Sequence, residues 1–540
     1  MALSSAAPVD YSQYAREDSV MLEWRHTRSV VNGLLLSLCM LMGCGEEKPP
    51  SPVVPDTPVP QTADPKAPST PPTETNDADA FPPLETSPQN DSRDTPPTQA
   101  AHADPSATSG ANLNRRQRLP DDRPSINELR LQEAGISRYE SRRLVLLSDI
   151  PEDRVAEFPQ MADSLFAALE KHFGKLSKAI DGSEFQVTGH LIEDEARFRA
   201  AGLMPSTTFT FEHGRHLNYQ FWMFNPEDDY YRRHLLFHEF IHCFMTCESG
   251  MRDIPPLWYI EGMAEFFATH QTPRDDNQSI EFGILPNSFD GFEGWGRISE
   301  LRRSFTQASD SATDSLKLAS FADVTPKTVA SFNSNAQYAE SWGVCWLIHS
   351  HPEYRRAFGA LAQQRTRSEF LSAFDEVDEE VKHRLAVDWL LVREELREGF
   401  DTKLSFPTHA TARTRLSDAA TQISFQLSAQ RGWQDTGIRV SKGESISIEA
   451  TGRYQVNSAP KPWISEPQGV SIEYFRDRPL GQIIAVFVDT EGKAISRTFT
   501  VGRTATLTAP IDGVIWLQIN DRCDSRHNND GAANLTIKQK

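Results

Sequence analysis

Residues 238–242 read His238-Glu239-Phe240-Ile241-His242. On a helix, imidazoles four residues apart lie one above the other on the same face, so both can reach a single ion. Glu239 follows His238 by one position, and its carboxylate falls beside such an ion. Zinc binds imidazole nitrogen well, and a catalytic zinc takes three protein ligands and a water. Two histidines therefore need a third partner. The candidate is Glu261, in the run Trp258-Tyr259-Ile260-Glu261-Gly262-Met263-Ala264-Glu265, with the eighteen residues 243–260 between it and His242. Glu265 lies one helical turn further on, placed to accept a hydrogen bond from a ligand imidazole and hold its tautomer. His234, four residues before His238, reads as a packing or supporting histidine, and Cys243 as pointing away from the ion. A five-residue HExxH pattern by itself is as often an ordinary helix face. The gap to Glu261, the second acid and a preceding strand favour the metal.

These side chains need two helices joined by a turn. Residues 228–247 run without Gly or Pro and supply the first helix; Pro255 and Pro256 mark the turn before the second. Upstream, residues 143–147 read as a strand. Residues 152–173 place Val155, Phe158, Met161, Ala162, Leu165, Phe166, Leu169 and Phe173 mostly at three- and four-residue spacing, an amphipathic helix. A strand over 185–191, a helix over 193–201 and a strand over 216–224 follow, and residues 342–400 look helical. Strands alternating with helices make an α+β domain. The strand 216–224 lies just before the metal helix and is the expected edge for an extended peptide to pair with.

HEFIH followed by WYIEGMAEF resembles the gluzincin metallopeptidases of the peptidase MA-like group, including aminopeptidase N-like enzymes with the same eighteen-residue gap. The resemblance spans about residues 140–400. It implies a zincin-like catalytic domain over 125–404, with His238, His242 and Glu261 as zinc ligands, Glu239 as general base and Glu265 orienting a ligand histidine. The segment Tyr338-Ala339-Glu340-Ser341-Trp342 is similar to a Tyr-Ala-x-Ser-Trp element of that group. On that likeness Tyr338 would stabilise the oxyanion; the alternative is a tyrosine packed at a helix start. The Gly-x-Met-Glu-Asn segment with which the aminopeptidases hold a free amino terminus has no counterpart here, which points to an endopeptidase.

The two ends of the chain differ in texture. Arg25 and Arg28 precede the apolar run 29–44, the layout of a secretory signal peptide, with Met21 a better start than Met1. The run is about half the length of a membrane-spanning helix. Its end, Leu41-Met42-Gly43-Cys44, resembles a bacterial lipoprotein box, which implies a lipid on Cys44; a plain signal peptide is the alternative. Residues 45–124 are rich in Pro, Thr, Ser and Asp and read as a disordered spacer. Of the six cysteines, Cys243, Cys247, Cys345 and Cys523 are either free or include one bridge.

Residues 420–540 carry short apolar strands, among them 445–450, 483–488 and 514–519, punctuated by glycines, the pattern of an antiparallel all-β sandwich. Near its end Asp521, Ser525, Asn528 and Asn529 offer hard oxygens that suit calcium, or simply form a turn. The spacing resembles the PA-IL-like galactose-binding lectins, where the matching aspartate and asparagines hold calcium by side chains and the residue at Ser525 by its carbonyl. The sugar-contacting residues of that family have no match. A formal net charge of −20 and no basic stripe exclude steering toward nucleic acid. The chain thus reads as an exported, lipid-anchored zinc endopeptidase of the bacterial cell envelope, periplasmic or at the surface. The alternative is a cell-surface carbohydrate-binding protein with an inactive peptidase-like domain.

Overall fold

A computed structural model describes residues 116–540, apart from 206–210, 251–252, 273–278, 294, 310–314, 317, 327–331, 333 and 417–421. The signal segment with Met21 and Cys44, and the spacer up to residue 115, lie outside the described residues. Fixed contacts begin before the expected boundary at 125. Arg118 is buried, and its guanidinium donates to the carbonyls of Ser177 (3.2 Å) and Ser183 (2.6 Å). A stretch poor in apolar residues is held here by its hydrogen bonds instead.

Residues Arg115–Lys540 form one compact unit. Its first half is mixed α/β. Strands β1 (Ser137–Glu140), β2 (Leu144–Ser148), β3 (Val187–Ile192), β4 (Gly214–Leu217) and β5 (Gln220–Phe224) form one sheet in the order β1-β2-β3-β5-β4. The central three are parallel and the two edges antiparallel. β2 and β3 are buried along their whole length, as parallel strands covered on both faces are. Helices α1 (Glu128–Ala134) and α3 (Glu195–Ala201) cover one face; α2 (Phe158–Phe173) and the metal helix α4 (Asp229–Thr246) cover the other. The single strand expected over 216–224 is a hairpin. Asn218, at φ 51°, turns the chain between Leu217 and Gln220, so Gly214–Leu217 is the outer strand on that side of the sheet.

The longer helices that follow are α5 (Leu257–Ala268), α6 (Ile298–Ser309), α7 (Asn335–Ser350) and α8 (Glu379–Glu395). No helix of the described residues is long and apolar enough to cross a membrane. Cys243, Cys247, Cys345 and Cys523 are buried free thiols.

The C-terminal region is rich in sheet. Strands β6 (Gln422–Ser428), β7 (Gln434–Val440), β8 (Ser445–Thr451), β9 (Gln468–Phe475), β10 (Arg478–Val488), β11 (Thr504–Thr508), β12 (Gly513–Ile519) and β13 (Ala532–Gln539) fall into two sheets sharing one apolar core. One sheet runs β6-β13-β8-β11; the other is built on β10-β12-β7. In β8 burial alternates, because only one face is covered. β12 is buried at every position. Ile515, Leu517 and Ile519 face the shared core, while Val514 and Trp516 pack with Val387, Leu390 and Leu391 of α8. Buried polar pairs join the same surfaces. Glu395 meets Arg526 at 3.0 Å and accepts from Gln518 at 2.5 Å, and Asp388 meets His409 at 2.7 Å.

The helical and sheet regions should therefore unfold together. Leu391 is 0% exposed, and Leu391→Ala should cost about 2–5 kcal/mol of stability. Hydrogen exchange in rising denaturant should show the amides of α4–α8 and of β7–β13 losing protection in one transition, shifted as a whole. Helix amides whose transition moves while the β7–β13 amides keep theirs would mean that the two regions are energetically separate.

Candidate metal centre

Two helix starts set the site. Asp228 caps α4, its carboxylate accepting from the Tyr231 amide at 2.6 Å. Pro256 precedes α5, where fixed φ costs nothing. α4 and α5 then pack so that Glu261 reaches the histidine face. His238 Nε2 and His242 Nε2 are 2.9 Å apart, and Glu261 Oε2 lies 3.3 and 3.2 Å from them. Ligands of a tetrahedral ion held at about 2.0–2.1 Å stand about 3.3 Å from one another. The triangle is thus close to what one ion requires, and the three residues can hold a metal ion.

Orphaned atoms tell the same story. Glu261 Oε2 and Glu239 Oε2 are buried and have no hydrogen-bond partner. Buried acceptors left unpaired are costly. Glu239, Glu261 and Glu265 place three carboxylates in one apolar surround, and Arg297 is paired with Glu265. The other two face imidazoles, so either protons on the histidines or a divalent cation must compensate them. Burial disfavours a charged His238, but the close approach of Glu261 at 3.3 Å and the charges of Glu265 and Glu239 outweigh it and push His238 up to about 9. Burial likewise raises Glu261, yet the His242 and His238 contacts hold it far below the usual carboxylate range.

Glu265 accepts from His234 Nε2 at 3.0 Å, while its Oε1 stands 3.4 Å from His238 Nδ1, which makes no hydrogen bond. His234 is a supporting histidine in this sense. The Cys243 thiol is directed to the Gln220 carbonyl, 3.6 Å away. Tyr338 lies in the first turn of α7. Its ring packs edge-on against Phe332 at 4.7 Å, and its centroid is 6.3 Å from that of His238. Burial, then the nearby glutamates, push its hydroxyl up, so it remains a donor.

Glycines allow two of these approaches. A Cβ on Gly262 would lie 2.5 Å from the Ser341 carbonyl oxygen and 2.6 Å from Cys345 Sγ, so this glycine lets α5 lie directly on α7. A Cβ on Gly214 would lie 2.6 Å from Glu239 Oε1, so the edge strand passes against that carboxylate.

Sequence reasoning missed three neighbours. His216 of β4 stacks on His242 with ring centroids 4.5 Å apart and stands 3.6 Å from Glu239. Trp295 packs on His234 at 4.3 Å, and Arg297 makes a bidentate pair with Glu265 at 2.7 and 2.6 Å. A buried acid demands a cation, but nothing in the spacing says which arginine answers.

No protein-family model matches the chain, and no curated protein matches it. Solved structures offer partial likenesses. One is described as "EclA N-terminal domain; PllA-like lectin", 21% identical over 22% of this chain and 98% of that one, with a TM-score of 0.18. A functionally unknown conserved protein from Bacillus anthracis str. Ames is 15% identical over 22% of this chain and 21% of that one, TM-score 0.13. PliG of Aeromonas hydrophila, a periplasmic lysozyme inhibitor of g-type lysozyme, is 10% identical over 25% of this chain and 96% of that one, TM-score 0.15. Scores this low transfer neither fold nor function.

In the C-terminal loop Asp521 is buried. It accepts from Asn529 Nδ2 at 2.8 Å, Ser525 Oγ at 3.2 Å and the Arg522 amide at 2.6 Å. The structure thus joins Asp521, Ser525 and Asn529. The side-chain oxygens of Asn528 and Asn529 are buried without a partner.

Two outcomes are expected. Gly262→Ala should overpack the α5–α7 contact and cost about 1–3 kcal/mol in urea unfolding; an unchanged midpoint would contradict the close approach. Because a proton must leave His238 before its nitrogen can ligate, metal affinity should rise as pH increases from 6.5 toward about 9 and level off above. Titration calorimetry in buffers of different ionisation heat would show the released proton, and affinity flat across that window would refute it.

Proposed function

We propose that this chain is a zinc-dependent endopeptidase with a zincin-like catalytic domain of the gluzincin type. The observation that carries the reading is the buried triangle of His238, His242 and Glu261 with Glu239 beside it. Zinc held there would supply an acidified water and polarise the scissile carbonyl. The residues of the chain do the rest. Glu239, whose Oε2 makes no hydrogen bond and has His216 Nδ1 3.6 Å away, takes the proton of the attacking water and passes it to the leaving nitrogen. Tyr338 donates to the oxygen on which charge develops. Gly214–Leu217, the outer strand beside Glu239, aligns an extended peptide by main-chain hydrogen bonds. Glu265 keeps the His238 ring in the tautomer that presents Nε2.

The rest of the proposal is carried by the sequence. Arg25, Arg28 and the apolar run ending at Cys44 make it an exported lipoprotein of the envelope, attached by its lipid alone. Calcium is proposed for Asp521, Ser525, Asn528 and Asn529, supported by the two unpartnered asparagine oxygens. Peptides or proteins are the substrates, and carbohydrate is a candidate ligand of the sheet region.

Metal analysis of the dialysed full chain tests the core of this. About one zinc per chain is expected, with most of it lost in Glu261→Ala, which removes the third ligand. Glu239→Gln should keep the zinc and lower peptide hydrolysis by about 10²–10⁴. A chain that takes up no zinc even on reconstitution would end the peptidase reading and leave the carbohydrate-binding protein in its place.

A further inference from the structure

Glu265 is held from three sides. Its oxygens face His238 Nδ1 at 3.4 Å and His234 Nε2 at 3.0 Å, and Arg297 closes on both, Nε to Oε2 at 2.7 Å and Nη2 to Oε1 at 2.6 Å. The group is out of solvent, with side-chain exposures of 2% for Glu265, 1% for His234 and 11% for Arg297. His234, His238 and Glu265 together have the donor set of a second metal site. The guanidinium already stands on the carboxylate that a second cation would need.

The guanidinium is itself fixed. Its Cζ lies 5.1 Å from the centre of the Trp295 ring and 5.3 Å from that of Tyr338. Its own carbonyl accepts from the amides of Glu300 and Leu301, at the start of α6. A planar fork making two parallel bonds sets the plane of a carboxylate as well as its charge, which an ammonium cannot do. In that plane Glu265 Oε1 stands 3.4 Å from His238 Nδ1, which has no other partner.

We propose that Arg297 is a positioning residue of the metal centre: through Glu265 it fixes the ring of His238 and so sets the affinity of the His238/His242/Glu261 site for its ion. The inference rests on the metal-centre reading above. Arg297 touches no ligand atom, and its effect passes entirely through Glu265.

The test compares the full chain with Arg297→Gln, Arg297→Lys and Glu395→Gln. The last breaks a buried ion pair with Arg526, 3.0 Å long, on the α8 surface. Zinc affinity is measured by chelator competition, coordination by the visible spectrum of the cobalt-substituted protein, and stability by thermal unfolding of the metal-free form. Arg297→Gln should weaken zinc about tenfold to a hundredfold and shift the cobalt bands. Arg297→Lys, which keeps the charge and so guards against a failure to fold, should weaken it nearly as much. Glu395→Gln should lower the unfolding temperature and leave affinity and spectrum alone. Arg297 variants with wild-type affinity and cobalt bands, whatever their stability, would overturn the inference while leaving the metal centre standing. Two zinc ions per chain in Arg297→Gln would also overturn it, since the guanidinium would then only exclude a second cation. A wild-type chain without zinc would remove the metal centre and this inference with it.

Discussion

Everything around the centre answers one electrostatic problem, the placing of Glu239, Glu261 and Glu265 inside an apolar core. Unpaired carboxylates there would unfold the domain, because desolvation costs more than the packing around them returns. Glu265 is answered by Arg297 and His234. Glu261 is answered by the two imidazoles of α4. Glu239 stands beside His216 with one oxygen unpartnered. Groups with strongly displaced titration of this kind cluster at functional sites in proteins generally.

Close packing turns that arrangement into a rigid one. α5 lies against α7 because Gly262 offers no Cβ, and the same contact carries Tyr338 to within ring contact of His238. Gly214 does the equivalent for the sheet edge and Glu239. An unsubstituted glycine in mid-helix costs roughly 0.5–1 kcal/mol relative to alanine, and here it is offset by bringing a ligand helix and the Tyr338 helix into direct contact.

The C-terminal sheets are fastened to this body. The apolar runs of β10 and β12 are continuous where β8 alternates, because one face of their sheet meets the second sheet and the other meets α8. The loop that carries Asp521 also carries Arg526, whose partner Glu395 ends α8. Any ligand of that loop would therefore act on a segment already tied to the helical region.

What the sequence determined by itself was local. Imidazoles at 238 and 242 share a face because the helical repeat puts them there, Pro255 and Pro256 end one helix and begin another, and the acids at 261 and 265 repeat with one turn. The strand over 185–191, the helix over 152–173 and the sheet-rich region 420–540 are equally local patterns. The turn at Asn218 was missed because an apolar run through a two-residue hairpin looks like one strand. The contacts of Arg297, Trp295 and His216 with the centre were decided only in three dimensions. They come from a loop and an edge strand whose positions depend on long-range packing, and a charge or a ring in sequence carries no mark of the partner that folding will give it. That β12 is covered on both faces, and that α8 supplies the second cover, was fixed only by the tertiary structure.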